Sequence, residues 1–261
     1  SHNIPCPSPI SVTLDSLNSV SCFGLSDGEI HISVSGGTPY VNSGYNFSWN
    51  GNTFNTEDLT GITAGSYSVE VTDSNFCLGN FGIIITEPAL LETNVLGITD
   101  ASCYNSQDGG IDLRVDGGTA PFTASIYDNG FNLLYDTVFS SLSVFCSVPG
   151  AGQYDVVVND ANGCQSPIDT SVFQPSEIII TLDSVNNVSC LGYADAEIYI
   201  SLTGGAGNYN YAWTGPSCNT CAAEDITNLS AGVYNLLVTD ATSCTQSFTQ
   251  NVLVPSALTI T

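Results

Sequence analysis

Residues 65–73 read GSYSVEVTD, and this stretch decides the fold because it occurs three times. It returns as GQYDVVVND at residues 152–160 and as GVYNLLVTD at residues 232–240, and each copy has a cysteine four residues after its final aspartate. Apolar and polar residues alternate along every copy, which is typical of a half-buried β-strand. The tyrosine of the stretch recurs after 87 and then 80 residues, and a unit of that length can bury its own core. The chain is therefore predicted to be a row of three similar domains.

A second shared segment lies upstream of each copy. It consists of a cysteine, an acidic turn, an alternating run such as DGEIHISV at residues 27–34, and a Gly-Gly turn. An aromatic strand follows, with Trp49 in the first repeat and Trp213 at the same place in the third. The upstream cysteines are Cys22, Cys103 and Cys190.

Short strands between Gly, Asn, Asp, Ser and Pro clusters, without any helical apolar spacing, predict an all-β chain. We expect three tandem immunoglobulin-like antiparallel β-sandwich domains of about seven strands each, in an elongated string. A proline closes each unit and leaves a short, stiff linker. The predicted domains are residues 8–88, 89–175 and 176–255, and residues 256–261 resemble the first strand of a following repeat, so we expect a longer parent chain.

Ten cysteines, no methionine and no long apolar run indicate a secreted, oxidised protein. Repetition pairs the cysteines within each repeat. The predicted disulfides are Cys22–Cys77, Cys103–Cys164 and Cys190–Cys244, each stabilising its domain by roughly 4 kcal/mol.

The remaining four cysteines do not follow the repeat. Cys218 and Cys221 have redox or zinc-like spacing, but no second such motif accompanies them, so the sequence favours a local disulfide. Cys6 and Cys146 could pair with each other, with a neighbouring repeat or with another chain.

The charge balance comes from missing basic residues. One arginine and no lysine stand against 25 acidic residues, for a net charge of -24. This excludes ordinary nucleic-acid binding, which needs basic residues to release counterions, and it disfavours membrane insertion or adhesion to anionic membranes. A solvated acidic surface, resistance to trypsin-like proteases and calcium binding remain. No cofactor is required, and calcium is the alternative to turn chemistry for the recurring aspartates, which are Asp27, Asp73, Asp108, Asp160, Asp195 and Asp240.

Catalysis is not expected. The two histidines, His2 and His31, do not recur in the other repeats, and no nucleophile is paired with a base. Trp49 and Trp213 could stack on sugar rings, but alternation places them on the face that forms the core, so core packing is favoured.

The chain resembles the SprB-type repeats of giant gliding-motility and cell-surface adhesins. The resemblance is carried by GGTPY at residues 36–40, GTAPF at 118–122, DANGC at 160–164 and AGVY at 231–234. The long insert at residues 128–146, the missing tryptophan of the second repeat and the Cys-x-x-Cys of the third depart from the pattern. The resemblance implies type IX secretion, display on the bacterial outer surface as an extracellular filament, and adhesion to surfaces or polysaccharide, often with gliding motility.

Bacteria with that secretion system also O-glycosylate Asp-Ser/Thr followed by an aliphatic residue. The resemblance therefore makes Ser16, Thr137 and Ser184 glycosylation candidates, and the protein a candidate glycoprotein.

Two functions fit this sequence. In the first, the repeats are the stalk or filament of a long secreted adhesin, and their partners are neighbouring repeats. In the second, they are multivalent, weak, lectin-like carbohydrate-binding modules. The second repeat has lost the aromatic pattern of the other two, and this favours the stalk, because a site copied for avidity should keep its aromatic residues.

Overall fold

The structure, a computed structural model, describes residues 8–256, except for the side chains of residues 219 and 220. Every regular element in that range is a β-strand, and the range contains no helix that could cross a membrane. This confirms the predicted all-β class.

The twenty strands fall into three groups, which correspond to the three repeats. The first group is β1 (Ser11–Asn18), β2 (Gly28–Ser35), β3 (Asn46–Trp49), β4 (Leu59–Ile62), β5 (Gly65–Thr72) and β6 (Leu78–Ile85). The second is β7 (Glu92–Thr99), β8 (Gly109–Asp116), β9 (Phe122–Asp128), β10 (Leu133–Phe139), β11 (Ser143–Val148), β12 (Gly152–Asn159) and β13 (Gln165–Val172). The third is β14 (Ile179–Asn186), β15 (Ala196–Thr203), β16 (Asn210–Gly215), β17 (Cys218–Cys221), β18 (Ile226–Leu229), β19 (Gly232–Thr239) and β20 (Thr245–Val252).

Each group forms two antiparallel sheets, as expected for an immunoglobulin-like sandwich. The strand orders are β1-β2-β4 with β3-β5-β6, then β11-β8-β7 with β10-β9-β12-β13, then β14-β15-β18 with β17-β16-β19-β20. The first repeat thus has six strands, and the other two have the expected seven. The extra strand of the second repeat, β10, belongs to its insert and pairs with β9 at the sheet edge. The predicted domain limits themselves stay predictions.

A separate apolar core fills each sandwich, built from the inward positions of the alternating strands. Trp49 and Trp213 are completely buried in the first and third cores. The tyrosine of the recurring stretch donates its hydroxyl to a carbonyl four residues upstream: Tyr67 to Thr63 at 2.9 Å, Tyr154 to Gly150 at 2.7 Å and Tyr234 to Ser230 at 2.9 Å. This tyrosine corner explains why the stretch is repeated so closely.

The Gly-Gly turn fixes where each domain begins. Gly205 donates its N–H to the carbonyl of Ser176, at the start of the third repeat. A Cβ on Gly204 would lie 1.7 Å from the carbonyl oxygen of Glu177, and its φ is +83°, so only glycine fits. Gly117 packs against Leu90 in the same way in the second repeat. The incoming chain is therefore held at one end of its sandwich.

Candidate functional site

The junctions between repeats are the feature that recurs through the chain. Two disulfides link one repeat to the next, Cys22–Cys164 and Cys103–Cys244. In both, the Cα atoms are 5.6 Å apart. The predicted pairing within repeats is therefore wrong: Cys22 does not pair with Cys77, Cys103 does not pair with Cys164, and Cys190 does not pair with Cys244.

Strand geometry explains this correction, because the two shared cysteines of a repeat lie at opposite ends of its sandwich. The loop of Cys22 is bound to the outgoing chain, where Val20 donates its N–H to the carbonyl of Thr86 at 3.0 Å. The loop of Cys77 is bound beside the incoming chain, where Asp73 accepts from the N–H of Thr38 at 2.8 Å. Strands of eight residues separate the two ends by about 26 Å, whereas a disulfide needs Cα atoms within about 7 Å. Each cysteine can reach only the adjoining repeat.

The upstream cysteine loop has the same internal hydrogen bonds in all three repeats. The serine before the cysteine donates its N–H at 3.0 Å to an aspartate six residues on, as from Ser102 to Asp108. The other two pairs are Ser21–Asp27 and Ser189–Asp195, also at 3.0 Å. Hydrogen bonds from Ser102 and Ser106 lower the pKa of Asp108 to about 2. The serine hydroxyl and N–H likewise hold the pKa values of Asp27 and Asp195 below their ordinary range.

The downstream cysteine loop is organised by a buried aspartate. Asp240 accepts hydrogen bonds from the N–H groups of Ala206 at 2.8 Å and of Thr242 and Cys244 at 2.9 Å. Burial alone would raise the pKa of Asp240, but these donors outweigh it and the pKa is lowered. Asp160 is held by the equivalent three donors. These carboxylates therefore serve as turn residues in the structure.

The six calcium candidates are not brought together. Across residues 8–256, no three acidic, histidine or cysteine side chains form a group that could hold a metal ion. All six carboxylates accept hydrogen bonds from backbone N–H groups of their own loops, Asp73, Asp160 and Asp240 in the downstream loops and Asp27, Asp108 and Asp195 in the upstream loops. Calcium binding stays a prediction, and the observed hydrogen bonds favour the turn chemistry.

Contacts beside the disulfides complete each junction. Asn162 donates its side-chain amide to the carbonyl of Ser21 at 3.1 Å, which joins the first two repeats. The Sγ of Cys164 lies 3.4 Å from the same oxygen, and the Sγ of Cys244 lies 3.2 Å from the carbonyl of Ser102. Small clefts flank the contacts, about 260 Å³ at the first junction and about 370 Å³ at the second. The repeated Ser-Cys pair, with an aspartate six residues after the serine, is the sequence pattern that marks the upstream junction loop.

The remaining six cysteines are not all in the same state. Cys218 and Cys221 form a local disulfide, the pairing that their spacing favours. Cys146 is an unpaired thiol in the second core, opposite Ile111 in the strand register, and burial raises its pKa to about 11. It therefore acts as a small core residue. Cys190 is unpaired and exposed, Cys77 is in a disulfide, and Cys6 lies outside the described residues.

The two tryptophans cannot bind sugar in this fold. Both indole rings have 0% exposure, and both Nε1–H groups donate to backbone carbonyls, Trp49 to Thr56 at 3.0 Å and Trp213 to Ala223 at 3.1 Å. The carbohydrate-stacking assignment of Trp49 and Trp213 is therefore wrong, because a stacking ring needs an exposed face.

The three glycosylation candidates share a structural setting. Ser16 and Ser184 are exposed and follow a β-bulge in β1 and β14, and Thr137 is half-buried in β10. All three strands lie at sheet edges. In each motif the aspartate accepts a hydrogen bond from a serine of the adjacent strand: Asp15 from Ser33, Asp136 from Ser125 and Asp183 from Ser201.

Of the two histidines, the structure describes His31. Its Nδ1 lies 3.0 Å from a carboxylate oxygen of Asp58, and this hydrogen bond raises the pKa of His31. The pair stands on the outer side of a strand, and its single occurrence fits a surface ion pair. His2 lies outside the described residues.

The SprB repeat family model matches this chain three times, at residues 14–54, 97–131 and 182–217. The model thus matches one segment of each of the three repeats. Each match begins within the first strand of a repeat and includes the upstream cysteine loop, and together the matches cover somewhat under half of the chain. No curated protein matches the chain.

Several solved structures are similar to this chain. A tetra-tandem repeat in the extending region of a large adhesion protein has 14% identity and a TM-score of 0.28, over 94% of this chain and 74% of that chain. A 1.5-MDa bacterial ice-binding adhesin has 18% identity and a TM-score of 0.38, over 93% and 96%. The eight N-terminal immunoglobulin domains of Down Syndrome Cell Adhesion Molecule have 10% identity and a TM-score of 0.38, over 94% and 37%. At these scores the similarities carry no functional argument.

Proposed function

We propose that these SprB repeats are the stalk of a long, secreted adhesin on the bacterial cell surface. The observation that carries the proposal is the pair of disulfides between repeats. A short linker and a disulfide fix each junction at two points, so a repeat cannot swing freely about its neighbour. A role in holding something at a distance from the cell needs such resistance to bending.

The surface chemistry supports the same role. An excess of acidic residues over one arginine keeps neighbouring filaments apart and leaves trypsin-like proteases almost no cleavage site. Glycans on Ser16, Thr137 or Ser184 would cover exposed strand edges, which otherwise invite pairing with other chains. Type IX secretion, gliding and O-glycosylation belong to this proposal, and intact-mass analysis of the native protein tests the last of them.

Small-angle X-ray scattering tests the stalk. Three sandwiches placed end to end, each with strands of about 26 Å plus loops, predict a rod of about 110 Å for the oxidised chain. The matched comparison is a variant in which four cysteines are changed to serine, namely Cys22, Cys164, Cys103 and Cys244. This variant lacks both inter-repeat disulfides and, when folded, should show a broader distribution of maximum dimensions. An equally broad distribution from the oxidised chain would contradict the proposed stiffness.

The alternative is a weak lectin-like module repeated for avidity. Burial of both tryptophans removes the residues on which it was based. A polysaccharide array probed with the oxidised chain, in calcium and in EDTA, distinguishes the two functions. Saturable binding would overturn the passive stalk, and calcium-dependent binding would also support the metal prediction.

A further inference from the structure

The loop of Cys190 has the same form as two loops that bind a neighbouring repeat. Tyr193 donates its N–H to the carbonyl of Cys190 at 3.2 Å, as Leu25 does to Cys22 at 3.2 Å. Ser106 closes the same turn on Cys103 at 3.1 Å. The Ser189–Asp195 hydrogen bond described above also matches its two counterparts. The third loop is therefore already folded into the form that carries an inter-repeat disulfide.

Two residues of this loop lack the contacts that the matching residues of the other loops make with a neighbouring repeat. Cys190 is an exposed, unpaired thiol, whereas Cys22 and Cys103 are both oxidised. Leu191 is 83% exposed, whereas Phe23, at the same place in the first repeat, is 52% exposed and lines the cleft against Leu90 of the next repeat. The apolar residue and the thiol are uncovered together.

Among residues 8–256, no other cysteine of this chain can supply the partner. The downstream cysteines Cys77, Cys164 and Cys244 are all in disulfides. Cys146, the other unpaired thiol among the described residues, is enclosed in the second core. A second copy of this chain would offer the same oxidised downstream cysteines, and its one exposed thiol among the described residues, Cys190, lies in an upstream loop, whereas both observed junctions pair an upstream with a downstream loop.

We propose that the Cys190 loop is a covalent docking surface for a further SprB repeat, and that Cys190 forms a disulfide with the downstream cysteine of that repeat. The partner loop is of the Asp-x-x-x-Cys type, its aspartate holding the cysteine as Asp160 holds Cys164. The inference rests on the repeat geometry and is independent of whether the repeats act as stalk or lectin.

The bond-forming step is a two-electron oxidation. Each of the two thiols loses one proton, one S–S bond forms, and both electrons pass to a small-molecule or protein disulfide by thiol–disulfide exchange. The oxidant is thereby reduced to two thiols. Oxidised glutathione serves as this oxidant in the test.

The test extends the full chain by one repeat. Residues 182–255 are appended after Thr261, which corresponds to Thr181 of the preceding junction, so the new linker repeats the natural spacing. The appended copy carries Cys190→Ser, which leaves only the original Cys190 available, and Thr245→Ser, which marks the appended Cys244 peptide by mass. The chain is refolded in a glutathione redox buffer, treated with iodoacetamide and digested without reduction.

We expect a peptide in which the original Cys190 is joined to the mass-marked Cys244, with alkylation of Cys190 lost relative to the 261-residue chain. Changing the appended Cys244 to serine should restore full alkylation. Reactive Cys190 in a folded, extended chain would overturn the proposal. A second version with residues 95–175 appended, in which Cys164 is the acceptor, covers failure of the first copy to fold, and reactive Cys190 there overturns it equally.

Discussion

Removing one inter-repeat disulfide should destabilise the repeat that follows the junction. The variant carries Cys22→Ser and Cys164→Ser. When the second repeat unfolds beside a folded first repeat, Cys22 stays fixed next to the outgoing chain at Thr86. The disulfide therefore closes a loop of about 75 residues, from the linker to Cys164, for which the chain-entropy model gives about 4.5 kcal/mol. Although it joins two repeats, this bond should stabilise one repeat as strongly as an internal disulfide.

Hydrogen exchange measured by mass spectrometry provides the assay, because both tryptophans lie outside the second repeat. Peptides from β12 should lose about 10³-fold of their protection, which corresponds to 4.5 kcal/mol. Peptides of the third repeat, whose Cys103–Cys244 disulfide remains, should change much less. Cys190→Ser is the matched control and should leave protection unchanged, since Cys190 is exposed and unpaired.

The single variant Cys22→Ser tests the pairing itself. It should leave Cys164 as a new free thiol that alkylation and peptide mapping detect. Appearance of a free Cys77 instead would refute the staggered arrangement, and protection in β12 that stays within tenfold of wild type would refute the loop-closure reasoning.

Three further changes have expected outcomes. Tyr234→Phe removes a hydroxyl that donates to the carbonyl of Ser230 at 2.9 Å, so the free energy of unfolding of the third repeat should fall by about 1 to 2 kcal/mol. Urea unfolding followed by Trp213 fluorescence measures this change. Tyr193→Phe, at an exposed position, should have little effect. Asp240→Asn replaces an acceptor of three N–H groups by a group that is partly a donor, and should lower the urea midpoint of the same repeat; an unchanged midpoint would mean that the loop does not depend on this carboxylate. The pKa of Asp108 is lowered to about 2 in the folded state, so its contribution to the stability of the second repeat is present above its ordinary pKa and disappears as the pH falls through 2. Asp108→Asn should therefore flatten the decrease in the thermal midpoint of the second repeat between about pH 4 and pH 2. An unaltered pH profile would contradict this assignment.

The fold could be predicted from the sequence because alternation is a local signal. The stretch around Tyr67 specifies a strand, the direction of its side chains and the core position of the tyrosine without reference to other repeats. The buried positions of Trp49 and Trp213 follow from the same alternation, so the sequence favours core packing over sugar stacking.

The disulfide pairing could not be read in this way. Each repeat supplies one upstream and one downstream cysteine, so repetition fits pairing within repeats and pairing between repeats equally well. The choice depends on which end of the sandwich carries each loop, and this follows from strand connectivity. Hydrogen bonds to the linkers, such as that from Gly118 to the carbonyl of Ala89 at 3.0 Å, fix those ends, and no local pattern reports them.

The staggered disulfides also determine what happens when the backbone is cut. Cys22–Cys164 and Cys103–Cys244 overlap between positions 103 and 164, so any single nick from residue 22 to residue 244 is bridged by at least one S–S bond. This includes the linkers at Pro88 and Pro175, where pairing within repeats would let one cut release the distal part. A chain linked in this way stays in one piece after a single break in any of these segments, and its distal part is released only by a second break.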